Sequence, residues 1–233
     1  MRTFLTAALG ALAIAAPAHP ATRNFGVTSF EKVRIDGPFR VRLATGLAPF
    51  ASASGAPAAL DRVAIEVRGN TLVVHANTSW GGYPSQNTGP VDISLGTHDL
   101  TSAWISGSGI LAIDHVRGLA FDLSVQGSAG ATVAQTDIDQ LNISIAGTAS
   151  GALAGRTGKM TAVVRGISSL DAADLQAKDA TIGAEGAATI KANVSNAVTV
   201  DAFGPATIIF SGQPACTLRV NGSTSVSGCK STQ

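Results

Sequence analysis

Apolar residues alternate with small or polar residues through most of the chain, in a unit that recurs about every 20 residues. A glycine marks the same point of each unit, and the steps between successive glycines are 20, 20, 19, 20, 18 and 18 residues. We call them the repeat glycines: Gly107, Gly127, Gly147, Gly166, Gly186, Gly204 and Gly222.

The residues two, four and six positions before each repeat glycine are nearly all apolar, as in Phe121, Leu123 and Val125. A second alternating pair follows the glycine, as in Leu111 and Ile113. Successive side chains of a strand point to opposite faces. Each unit is therefore predicted to hold two short, half-buried strands with a bend at the glycine. The same unit appears at wider spacing in residues 33–41 and 63–74.

Such a unit cannot bury a core alone, but identical strands stacked at about 4.8 Å per rung can. The sequence therefore predicts an all-β fold, a right-handed parallel β-helix (β-solenoid), with the hand following the crossover rule. A leucine-rich repeat has a similar period, but this sequence lacks its leucine framework and asparagine ladder. Stacking also predicts favourable cross-rung pairs of Arg165 with Glu185 and of Asp201 with Arg219.

The N-terminus has the order of a secretory signal peptide: Arg2, an apolar run over residues 4–16, and an Ala-x-Ala site that ends at Ala18. We expect residues 1–18 to be removed, with residue 21 as the alternative end. Residues 19–233 then form a single solenoid domain, regular from about residue 100 to 229. The apolar run is short for a membrane span, and no transmembrane segment is expected after cleavage.

Charge and cysteine content narrow the choice of compartment and partner. Without Arg2 the chain has 15 basic and 15 acidic residues, so no long-range field attracts nucleic acid. Two cysteines near one end, Cys216 and Cys229, predict one disulfide in an oxidising compartment, with two free thiols as the alternative.

Residues 30–41 and the segment Ile105-Ser106-Gly107-Ser108-Gly109 resemble the head GIN domain family. Weaker echoes of this segment follow at residues 125–128 and 145–148, and the resemblance extends over about residues 28–229. The family is described as "putative auto-transporter adhesins". The resemblance implies a parallel β-helix and a bacterial protein of the periplasm or cell surface, and it carries over no catalytic residue.

Candidate chemistry is sparse. The pairs His98-Asp99 and Asp114-His115 flank one rung and could meet at its corners as a metal or acid–base site, although exposed turn residues are the commoner explanation. No metal site and no cofactor are expected. The repeat region carries carboxylates in different columns, without convergence: Asp122, Asp171, Asp174, Asp179, Glu185 and Asp201.

Three aromatic residues are the candidate binding residues: Trp80 and Tyr83 in a long polar segment, and Trp104 in an outward column. The favoured interpretation is that the polar segment folds over Trp104 as a small packing cluster that caps this flank, and ligand binding by the three aromatic residues is the alternative. The hypothesis is a non-catalytic exported cell-envelope protein, a binding, adhesion or structural module whose partner is an envelope glycan or protein. The alternative is a polysaccharide-active β-helix hydrolase or lyase.

Overall fold

The alternating segments form β-strands that wind into a β-solenoid of about six turns. The protein is represented by a computed structural model that describes residues 21–77 and 89–230. No helix among the described residues is long and apolar enough to cross a membrane. Within these residues lie sixteen strands and one helical turn: β1 (Ala21–Phe25), β2 (Lys32–Asp36), β3 (Arg40–Thr45), β4 (Phe50–Gly55), α1 (Pro57–Leu60), β5 (Val63–Arg68), β6 (Thr71–Ala76), β7 (Asp92–Thr97), β8 (Ser102–Gly107), β9 (Ile110–Gly127), β10 (Gly130–Gly147), β11 (Ser150–Gly166), β12 (Ser169–Glu185), β13 (Thr189–Phe203), β14 (Thr207–Ser211), β15 (Ala215–Asn221) and β16 (Ser225–Ser227).

The strands β9 to β13 each form most of one rung, with 15 to 18 residues per strand, and they pair in parallel. The apolar columns stack in register: Val125 pairs with Ile105 on one side and Ile145 on the other, and all three are 0% exposed. The predicted β-solenoid and its inward columns are confirmed.

Each rung has three inward segments, whereas the sequence pattern predicted two. The extra bends fall at exposed positions such as residues 134–135 and 139–140. Some bends contain glycine, as at Gly118 and Gly158, and others do not, so no regular residue pattern marks them in the sequence. We call the segments before the repeat glycines the front face, those after them the back face, and those between the two the side face. In β10 the inward residues are Ala131 and Val133 (back), Thr136 and Ile138 (side), and Leu141, Ile143 and Ile145 (front).

The first strands depart from the regular stack. Strands β2 and β3 form one rung, placed between β6 and β7 on one side and β8 and β9 on the other. Beyond β6 and β7, the strands β5 and β4 pair with them antiparallel. The interpretation of residues 63–74 as another parallel unit is therefore wrong. Gly69, at φ +62°, reverses the chain in a hairpin instead of turning it into the next face.

The repeat glycines are required by close backbone approach at the corner. Gly147 has φ +98°, and a Cβ added there would lie 2.5 Å from the carbonyl oxygen of Gly127 on the neighbouring rung. A side chain would therefore have to separate the two rungs at this point, in addition to adopting a strained backbone conformation.

Gly147→Ala is expected to lower the free energy of unfolding by about 1–3 kcal/mol, because it combines that strain with the clash. Gly130→Ala is the matched control: its φ is ordinary, and an added Cβ meets nothing closer than the Ser150 hydroxyl at 3.5 Å. Urea unfolding of both variants measures the difference. Equal losses would contradict the role of the corner.

The last rung ends the solenoid without a covering layer among the described residues. In β15 the inward residues Leu218 and Val220 remain 45% and 39% exposed. A disulfide joins Cys216 in β15 to Cys229 after β16, with a Cα–Cα distance of 5.8 Å. The predicted disulfide is thus confirmed, and it ties the two strands of the end rung together.

Removing this disulfide in a Cys216→Ser/Cys229→Ser variant should cost about 2–3 kcal/mol of stability, because the closed loop is short. Urea unfolding with and without reductant tests this, and reduced wild-type protein should match the variant. An unchanged unfolding midpoint after reduction would contradict the expectation.

Candidate functional site: the front face around Arg34 and Trp104

Trp104 lies at the centre of β8, a front-face strand, and points outward as predicted. The strand register places it between Arg34 of β2 and Ser124 of β9. Trp80 and Tyr83 lie outside the described residues. The predicted three-residue aromatic cluster therefore stays a prediction, and Trp104 is the member around which a site can be built.

The Arg34 guanidinium carbon lies 4.1 Å from the centroid of the Trp104 ring. The same guanidinium donates from Nε to Asp36 Oδ2 at 2.9 Å, which holds it in place over the indole. A cation on an exposed aromatic face contributes about 0.5–1 kcal/mol. One face of the indole is thus occupied, and its opposite face is directed toward the Ser124 rung.

Polar side chains line the front face on this second side of Trp104. Asn142 Nδ2 donates to Asp122 Oδ1 at 2.8 Å, which links two rungs. Gln126 Nε2 lies 3.5 Å from the Ser124 hydroxyl. On this side the outward residues nearest the half-buried ring, Ser124 and then Ser144, have small side chains.

On the other side of Arg34 lies a shallow depression of about 430 Å3, lined by Arg34, Asp36, Arg68, Val73 and His75. The strand order β5–β6–β2 brings these residues together from three strands. Val73 points outward but is only 9% exposed, because the charged side chains around it cover it. The depression therefore has an apolar floor and a charged wall.

A hydrogen-bonded carboxylate organises that wall. Glu66 Oε1 contacts His75 Nε2 at 3.1 Å and accepts from Arg68 Nη2. These two bonds, with His75 the larger contributor, lower the pKa of the Glu66 carboxyl below its ordinary value. The other ring nitrogen of His75 lies 3.0 Å from the Ala76 carbonyl oxygen.

Sequence reasoning missed Arg34, Asp36, Glu66, Arg68 and His75 as members of one site. They lie on strands whose neighbours in the sheet are set by the order β5–β6–β2–β8, which differs from chain order. The available signal was the alternation of polar, outward residues in 32–36 and 64–68. Without the strand order, this alternation could not show which strands lie beside Trp104.

The two histidine pairs noted in the sequence do meet at a corner. His98, Asp99 and His115 line a cleft of about 100 Å3 together with Thr45 and Arg117. Asp114 accepts from the Thr45 backbone N–H at 3.0 Å. In residues 21–77 and 89–230, no group of three or more His, Cys, Asp or Glu side chains is arranged to hold a metal ion.

Most of the repeat-region carboxylates that the sequence singled out bond to partners on neighbouring rungs. Glu185 accepts from Arg165 at 2.9 Å, and Asp201 lies 3.7 Å from Arg219, which confirms both predicted cross-rung pairs. Further along the stack, Asp171 lies 3.7 Å from Lys191 and Asp179 accepts from Asn196 at 2.6 Å. These partners hold the carboxylates on separate rungs.

Solved structures with this architecture are similar over almost their whole length. A "putative adhesin" from Bacteroides fragilis has 18% identity and a TM-score of 0.80, covering 89% of this chain and 95% of that one. A "putative lipid binding protein" from Parabacteroides distasonis has 18% identity and a TM-score of 0.70, with coverages of 90% and 96%. A "putative adhesin" from Parabacteroides merdae has 16% identity and a TM-score of 0.66, also with coverages of 90% and 96%.

These likenesses define the class of fold, a β-solenoid. The chain itself belongs to the family described as "Putative auto-transporter adhesin, head GIN domain", whose model matches residues 29–214. The resemblance read from the sequence is confirmed. No curated protein sequence matches the chain.

The lowered pKa of Glu66 can be tested by NMR titration of its side-chain carboxyl. His75→Ala and Arg68→Ala should each raise the titration midpoint toward the ordinary value. Because the pKa is depressed in the folded state, the stabilising contribution is present above the ordinary value and is lost as the pH falls through the depressed one.

The carboxyl of Asp137 is the internal control, since its pKa is lowered by a two-pronged bond from Arg156 on the side face. Its midpoint should stay unchanged in both variants. A Glu66 midpoint that is ordinary in the wild type, or that does not respond to His75→Ala, would contradict the bonded arrangement.

Proposed function

We propose that this protein is a non-catalytic exported cell-envelope protein that works as a binding or adhesion module through the front face around Arg34 and Trp104. The observation that carries this proposal is the Arg34–Trp104 stack, with a charged depression on one side and a polar row on the other. Family membership supports an adhesion-like role for a bacterial protein that is exported or at the surface.

The absence of catalysis is part of the proposal, and the arrangement of carboxylates supports it. Glycoside cleavage uses two carboxylates that flank one bond, with protonation states set by different environments. Here Glu66 is held ionised by two donors, and Asp36 is bonded to Arg34. The polysaccharide-active alternative is therefore not favoured.

Export through the predicted leader, with cleavage after Ala18, is the second part of the proposal. The disulfide supports it, since such bridges persist in oxidising compartments. We propose the periplasm or the cell surface as the location, in keeping with the adhesin description of the family.

Retention on envelope fragments of the source bacterium tests the binding proposal. Wild-type protein should be retained, and a Trp104→Ala/Arg34→Ala variant should lose at least about tenfold in affinity, a loss typical of removing an aromatic anchor. Phe203→Ala is the matched control: Phe203 is an aromatic residue on the same face, 53% exposed and roughly 24 Å along the stack. Equal retention of all three proteins would contradict the site, and absence of wild-type retention would contradict the binding role.

A further inference from the structure

We infer that the ligand of this front face is a glycan chain lying along the solenoid axis, with one sugar ring stacked on the free face of Trp104. This inference rests on the proposed binding function and names the ligand class for it. It depends on four features of the described residues: the half-buried indole stacked on Arg34, the polar side chains beside it, the rung spacing and the depression behind Arg34.

Among the described residues, one face of the indole is covered by Arg34 and the other has only small side chains beside it. Arg34 covers one ring face at 4.1 Å and is itself held by Asp36, so the ring orientation is fixed before a ligand arrives. On the opposite side the next two outward residues of the column are Ser124 and Ser144. Their small side chains leave room for a flat ring with apolar C–H faces and a polar edge, which is the shape of a pyranose.

Hydroxyl-binding groups flank this open side in both neighbouring columns. The Asp122–Asn142 pair lies in one column, and Gln126 lies in the other. Carboxylate and amide groups offer both acceptors and donors, so they match the vicinal hydroxyls at a sugar edge. A few placed polar groups beside an aromatic surface are the arrangement that gives a small-molecule site its orientation.

The column direction matches an extended chain of sugars. Outward side chains repeat at the rung spacing of about 4.8 Å, which is close to the length of one sugar in an extended β-linked glycan. A chain that follows the column Arg34–Trp104–Ser124–Ser144 therefore presents successive sugars to successive rungs.

The depression behind Arg34 can hold a further sugar and favours a neutral one. Its floor is Val73, and its arginines are already paired, Arg34 with Asp36 and Arg68 with Glu66. Paired arginines and ionised carboxylates recognise hydroxyls, whereas a sulfate or uronate would have to displace the carboxylates from them. The charged surroundings of Val73 and Trp104 also differ from the depleted-charge core of a protein interface.

Two variants separate loss of the site from loss of the fold. Trp104→Ala removes the stacking surface. Ser124→Arg keeps the indole and places a long cationic side chain beside its free face, at an outward position where the fold tolerates it. Thr181→Arg is the control, the same outward substitution three rungs away on the front face. Both site variants should lose at least about tenfold in retention, and Thr181→Arg should keep it, at unchanged melting temperature for the two arginine variants.

The chemical class of the ligand is tested on the envelope fragments themselves. Periodate, which cleaves vicinal diols, should abolish retention of the wild-type protein, and protease treatment or lipid extraction should leave it intact. Glycan released from these fragments should compete for binding, and heparin at equal mass should not. Loss of retention by protease or by lipid extraction, with periodate harmless, would overturn the glycan inference and leave the binding function standing.

If wild-type protein is not retained on any envelope fragment, the proposed binding function is wrong. A second experiment then tests the glycan inference by itself. Native electrophoresis in gels containing neutral xylan, mannan or β-glucan should still show retardation that Ser124→Arg removes. Unretarded migration in all three gels would overturn the inference.

Discussion

Parallel backbone pairing of each rung with the next is the constraint on which the structure depends. On the front face the strands from β8 to β13 keep one register, so a residue in one rung has its counterpart directly above and below it, whereas the pairing shifts near the side-face bends from β10 onward. A shift of one residue would turn every buried column outward. The repeat glycines enforce this register at the corners, because their backbones approach too closely for a side chain.

The same register creates the candidate site from residues that are distant in sequence. Arg34 and Trp104 are neighbours in one outward column although they are 70 positions apart. The side chains of this column need no pocket to be held in place, because stacking fixes their spacing and Asp36 fixes the guanidinium. Binding geometry at this surface thus comes from the backbone ladder more than from side-chain packing.

The regular part of the fold could be predicted because recurring glycines and recurring inward apolar residues, such as Ile105, Val125 and Ile145, mark each repeat in the sequence. The sequence did not predict the side face, because glycines mark only some of its bends, as at Gly118 and Gly155, while others, such as residues 139–140, carry none. It also misread residues 63–74, since Gly69 serves a hairpin there and looks like any other repeat glycine. Of the candidate site, Trp104 was found by its outward position, whereas its partners depended on a strand order that local pattern does not contain.

The placement of the site near one end of the stack has an evolutionary consequence. The rungs from β10 onward repeat the same glycine corner and the same inward columns. They contribute to the binding surface only through Asn142 and Ser144 of β10. Duplication or deletion of one full period, from one repeat glycine to the next, would change the length of the molecule while each remaining layer kept equivalent neighbours. The number of rungs and the binding surface can therefore change independently during evolution in proteins of this design. The surface around Arg34 and Trp104 is kept whole when a distant rung is gained or lost.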